Sequence, residues 1–151
     1  MIIIVCTDDQ KLVDIAQISS SNNPQIFGNT YRIFNQIPRL LPGENLFVIA
    51  HGAYNGDDNN PVIGDRKNDF YVNAVDFFDN IKSIFPNGYT GSVYIDACES
   101  ADHTEETMSF AEVFLTQIQV YHGQTRVFGR KGKNSGLIPL PADLSWGQAT
   151  L

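Results

Sequence analysis

Two cysteines and one tryptophan in 151 residues leave little room for several chemistries. Cys6 and Cys98 cannot build the dense cross-linked framework of a small secreted domain. A single disulfide between them is open on count alone, but both fall at ends of predicted parallel strands, which favours reduced thiols. With no CxxC, no HExxH and no histidine-rich tract, no metal and no other cofactor is expected. Cations are also scarce. Ten Lys and Arg stand against 17 Asp and Glu, a net charge of −7 and an isoelectric point near 4.7. That balance argues against a nucleic-acid partner and an anionic membrane surface, and weakly favours a cationic partner or substrate. No apolar run approaches the roughly 18–20 residues of a membrane span. Met1 to Val5 is too short for a signal-peptide core and has no basic leader. The expected compartment is the cytoplasm, with export without a cleavable signal as the alternative. The chain has no internal repeat, low-complexity tract or linker, and its length suits a single domain over 1–151.

What is present is an alternation of strand and helix patterns. Ile2 to Val5 is an all-apolar run of the kind covered on both faces of a parallel sheet. Thr7-Asp8-Asp9 can cap a helix from about Gln10 to Ile18, with Leu12, Ile15 and Ala16 at helical spacing. Ser19 to Pro24 reads as a polar loop. Ile26 to Leu41 is ambiguous: Tyr31, Phe34 and Ile37 have helical spacing, while Pro38 limits a helix. Leu46 to Ala50 is a second strand, and His51 to Asn60 reads as a polar, flexible loop. Val62-Ile63 is a minor strand candidate before a charged turn. Ala74, Phe77, Phe78, Ile81 and Ile84 mark an amphipathic helix with Asn73 as N-cap. Val93 to Ala97 is a third strand, entered through the turn cluster Pro86 to Gly91. Glu105-Glu106 suits a helix start, and Phe110, Val113, Phe114, Gln117 and Ile118 mark the next helix. Arg126 opens a fourth strand, Leu137 to Leu140 is a candidate hairpin return or edge strand, and Trp146 can close the core. The pattern predicts an α/β fold, a mostly parallel sheet with helices on both faces.

Two of these strands end alike. One runs into His51-Gly52, the other into Ala97-Cys98, 47 positions between the imidazole and the thiol. If they are neighbours, both side chains reach one crevice at the carboxyl ends of the sheet. Nucleophilic catalysis needs an activated thiol, a base and donors for a developing oxyanion. Cys98 supplies the first and His51 the second. Gly52, without a side chain, lets its N–H approach a carbonyl, and the N–H of Cys98 completes an oxyanion hole. No separate third member stands out.

Each residue also has a plainer reading. A lone cysteine is usually buried filler, and Cys6, without a His-Gly companion, reads as structural. His103 is the runner-up base, while His122 reads as a surface or loop residue. Asp57-Asp58 matches half a calcium loop without the required glycine and glutamate spacing. Asp96 can cap the turn that follows it.

A strand ending in His-Gly followed by a strand ending in Ala-Cys resembles the caspase-like (clan CD) cysteine peptidases. The caspase pattern itself is Gln-Ala-Cys with a histidine about 50 residues upstream. Here the run is Asp96-Ala97-Cys98-Glu99-Ser100. Asp-Ala-Cys resembles the clostripain-like enzymes, Ala-Cys-Glu-Ser resembles legumain, and self-cleaving toxin domains share the arrangement. The resemblance implies a three-layer caspase-like sandwich and a cysteine endopeptidase acting on a peptide or protein substrate. It gives Cys98 as nucleophile, His51 as its catalytic partner, Gly52 and Cys98 as oxyanion donors, and Asp96 as lining the pocket for the side chain before the cut. A carboxylate there implies cleavage after Arg or Lys, with Asn as the legumain-like alternative. Arg130-Lys131-Gly132-Lys133 would be a candidate self-cleavage site. The chain is short after its fourth strand, so a homodimer could supply a missing pocket wall. The same shortness motivates the alternative, a noncatalytic caspase-like binding or scaffold module. A third reading is another acyl-transfer or thiol enzyme on the same sheet.

Overall fold

The computed structural model describes residues 1–57, 60–65, 70–133 and 136–151, the side chains of 54–57 excepted. Asp58, the second half of the calcium-loop match, and most of the charged turn after Asp65 lie outside these residues. Among the described residues, six strands form one sheet: β1 (Ile2–Ile4), β2 (Thr30–Arg32), β3 (Leu46–Ile49), β7 (Ser92–Asp96), β8 (Arg126–Arg130) and β9 (Trp146–Gln148). Their spatial order is β2-β1-β3-β7-β8-β9, parallel throughout except for β9. A second, antiparallel sheet joins β4 (His51–Asp57), β5 (Asn60–Gly64) and β6 (Tyr71–Asn73). The architecture is therefore α/β, with helices on both faces of the main sheet.

Alternation along the strands sorts the side chains into two cores. On one face, Ile3, Leu46, Val48, Val93, Ile95 and Val127 pack against α3 (Ala74–Ile81) and α4 (Phe110–Gln119) through Phe77, Phe78, Phe114 and Ile118. On the other, Ile2, Ile4, Phe47, Ile49 and Tyr94 meet Leu12, Val13 and Ala16 of α1 (Gln10–Asn22) and Phe27 of α2 (Pro24–Phe27). A row of rings crosses this second face. Phe47 stacks on Tyr94 at 5.0 Å, Tyr94 stacks on Phe128 at 4.8 Å, and Trp146 meets Tyr94 edge-on at 5.1 Å. Such cross-strand pairs fix register, because a slip by one residue would turn every ring to the opposite face.

The helices start where short polar side chains can take their free N–H groups. Asp9 accepts from Leu12 and Asn73 from Asp76. Ser109 and Glu112 form a reciprocal capping box at 3.1 and 2.8 Å.

Several expectations are corrected. His51 to Asn60 is not a loop throughout: His51, Gly52 and Ala53 pair with Gly64, Ile63 and Val62, so backbone pairing makes a strand of a polar sequence. The helical spacing in 26–41 gives no helix beyond Phe27. Thr30–Arg32 instead joins the sheet edge beside β1. Helix α1 continues to Asn22, through the stretch read as a loop. Leu137 to Leu140 forms no strand. The antiparallel return is β9, and Ile138 is buried on the second face. Glu105-Glu106 precede rather than open α4, whose first turn is set by the Ser109 cap.

Candidate functional site

Strands β3 and β7 are neighbours, in the register Ile49 opposite Asp96. The backbone bond from Ala50 N–H to the Asp96 carbonyl at 3.3 Å carries the pairing one place past β3; His51 then opens β4 of the small sheet, and Cys98 lies in the turn after β7. His51 and Cys98 line one cavity of about 40 Å³ on the second face, roofed by Lys11, Leu12 and Ile15 of α1. Both cysteines are thiols; Cys6 is fully buried, Cys98 half-buried. Burial pushes the Cys6 thiol up from its ordinary value, as suits an inert core thiol.

Gly52 meets the backbone of Cys98 directly. A Cβ at position 52 would sit 2.1 Å from the Cys98 carbonyl oxygen and 3.1 Å from its nitrogen. Only glycine permits this approach, so the segments carrying imidazole and thiol are held at main-chain contact distance.

The turn after Cys98 is closely tied down. Glu99 adopts a left-handed φ of 60°, and its N–H donates to the Gly132 carbonyl at 2.7 Å. The Ser100 hydroxyl donates to the Ile95 carbonyl at 2.9 Å and accepts from the Arg130 N–H at 2.8 Å, while its carbonyl accepts from Ala111. Both oxygens of Asp102 accept the Gly132 N–H, at 3.1 and 2.9 Å. Beside this turn lies an open depression of about 790 Å³, lined by Gly52, Ala53, Glu99, Asp102, His103 and Lys131 among others. Here His103 contacts Glu112 through Nδ1 at 2.8 Å and is largely exposed.

Asp96 also lines the small cavity, but its carboxylate meets the chain's own Arg130 at 2.8 Å. The two positions follow Tyr94 and Phe128, which are register partners on adjacent strands, so the ion pair continues the aromatic row. The Arg130 guanidinium lies 5.5 Å from the centre of the Trp146 ring. Burial pushes Asp96 up from 3.8 to about 6, with Arg130 pulling the other way. A substrate's guanidinium would therefore have to displace Arg130 to reach this carboxylate.

Two further acidic residues enter from the cap of α1 and the end of β5. The Oδ2 of Asp9 lies 2.9 Å from His51 Nε2, outside hydrogen-bond alignment. Asp65, at the end of β5, accepts from the N–H and hydroxyl of Thr7 and from the Phe70 N–H, tying the β1–α1 turn to the small sheet. Asp9 was legible only as a helix cap, and Arg130 only as part of a basic run. Neither contact has a signal in local spacing, since each depends on the pairing of distant segments.

Among the described residues, no group of three His, Cys, Asp or Glu side chains could hold a metal ion, and no helix is long and apolar enough to cross a membrane. No family model, no curated protein and no solved structure matches the chain.

Proposed function

We propose that the chain is a cysteine endopeptidase of the caspase-like kind, working through His51 and Cys98. The observation that carries this reading is that His51 and Cys98, each just beyond the end of one of the neighbouring parallel strands β3 and β7, line one cavity. In the proposed reaction the Cys98 sulfur attacks the scissile carbonyl carbon. The N–H groups of Gly52 and Cys98 take the oxyanion, and the C–N bond breaks as the imidazolium gives its proton to the leaving amine. Water then hydrolyses the thioester, releasing the acid and restoring the thiol.

The substrate backbone is assigned to the open depression of about 790 Å³ beside Gly52 and Glu99. Preference for a basic residue rests on Asp96, whose present guanidinium partner, Arg130, stands where a substrate's would stand. An irreversible peptidyl electrophile ending in Arg or Lys should modify Cys98, read by intact mass and peptide mapping, and leave Cys98→Ala unmodified. Equal modification by probes ending in Arg, Asn and Leu would remove the basic preference while keeping the nucleophile.

A second reading, a noncatalytic module that binds a partner, is favoured by the size of the cavity at the thiol. About 40 Å³ is room for about one water molecule. Under this reading no probe of any of the three kinds modifies Cys98 faster than free thiol chemistry allows.

A further inference from the structure

Asp9 belongs to two networks at once. Its Oδ1 accepts the Leu12 N–H at 3.4 Å and so caps α1, while its Oδ2 faces His51 Nε2 at 2.9 Å. The cap matters for the second role. It anchors the carboxylate to a helix of 13 residues packed on the sheet, so the oxygen facing the ring is carried by a rigid element. The Asp9 side chain is 13% exposed and that of His51 30%, so water screens their contact only in part. A carboxylate beside one ring nitrogen favours the proton on that nitrogen and fixes the tautomer.

We propose that Asp9 is the positioning residue for His51, holding a proton at Nε2 so that Nδ1 is the nitrogen that exchanges a proton with Cys98. This rests on the peptidase reading above. The thiol proton passes to Nδ1 as the sulfur attacks, leaving a ring with two protons whose positive charge the carboxylate stabilises. The Nδ1 proton then goes to the leaving amine, and Asp9 itself takes none. The present contact lies off the hydrogen-bond line, and in empty sites such contacts tighten when substrate binds.

The cap supplies clean controls. Asn and Ser cap helices about as well as Asp, so Asp9→Asn and Asp9→Ser both keep α1. The first removes the charge, and the second also shortens the reach.

The test uses the full chain labelled with 15N at histidine, where His51→Ala identifies His51 among the three. In the wild type the neutral ring should carry its proton on Nε2, and in both variants that preference should be lost, with melting curves retained. Alongside, the maximal rate of Cys98 modification by the arginine electrophile should fall about ten- to hundredfold, with half-saturation within about twofold. A purely structural role for Asp9 would not move the tautomer. An unchanged tautomer in a chain whose Cys98 reacts overturns the positioning role alone. A tautomer that switches in a chain whose Cys98 resists every electrophile overturns the peptidase reading while keeping Asp9's hold on the ring.

Discussion

Replacing Arg130 by methionine would separate what the guanidinium does by charge from what its stem does by packing. Arg130 and Asp96 are 13% and 3% exposed, so both charges are largely withdrawn from water. At an effective dielectric of about 20, unit charges about 4 Å apart attract by about 4 kcal/mol. Desolvation works against that gain, and here desolvation is the larger influence on Asp96, which titrates at about 6 instead of 3.8. The folded carboxyl thus keeps its proton to higher pH than the unfolded one. The folded state then binds more protons over that interval, and this group lowers stability as pH rises from about 3.8 to about 6. The gap corresponds to about 3 kcal/mol. Without Arg130 the opposing pull disappears, Asp96 moves further up, and the penalty at alkaline pH grows. Arg130→Met should cost about 3 kcal/mol at pH 8, in the range for breaking one side of a buried pair. Near pH 4.5 the carboxyl is protonated in the folded state of both proteins. What is then lost is the contact with Trp146 and a hydrogen bond to a neutral carboxyl, together about 1–2 kcal/mol. Urea unfolding at pH 8, 6 and 4.5 measures this directly from midpoints at constant slope. A loss that is the same at all three values would refute the view that Asp96 is a buried charge sustained by Arg130.

Three further outcomes follow from the same geometry. Arg130→Met should raise the ratio of modification of Cys98 by an arginine-ending over an asparagine-ending electrophile, because the carboxylate is no longer filled from within; an unchanged ratio would remove Asp96 from substrate recognition. Gly52→Ala should lose about 2–3 kcal/mol by forcing the Cys98 backbone away, with modification of Cys98 slowed at least tenfold; near-wild-type unfolding and labelling would contradict the close approach. Ser100→Ala should cost about 1–3 kcal/mol, since it leaves the Arg130 N–H without its acceptor, and a melting curve superimposable on the wild type would show that bond to be dispensable.

Much of the main sheet was legible in the sequence. The runs Ile2 to Val5, Leu46 to Ala50 and Val93 to Ile95 are apolar on both faces, and that pattern has few outcomes other than a covered parallel sheet. The helices at Ala74 and Phe110 announced themselves by period and cap. Polar strands were the blind spot. His51–Asp57 pairs through its backbone and carries no alternation to read, and Thr30–Arg32 is a three-residue edge beside a misleading helical spacing. After β8 the apolar run is Leu137 to Leu140, yet the edge strand forms around Trp146, whose ring completes the aromatic row. For the candidate site, His51, Gly52, Cys98 and Asp96 could be singled out because each sits at a strand end. Their charged neighbours could not. Asp9 reaches His51 across the β1–α1 turn, and Arg130 reaches Asp96 across a register that local sequence does not encode.

Trp146 is the chain's sole indole, and it lies under the guanidinium that fills the Asp96 carboxylate. The molecule therefore carries its own optical gauge. Anything that draws Arg130 off that ring, neutralisation of the Asp96 carboxyl included, alters the field around the one tryptophan, so its fluorescence can follow the state of the ion pair without any attached dye.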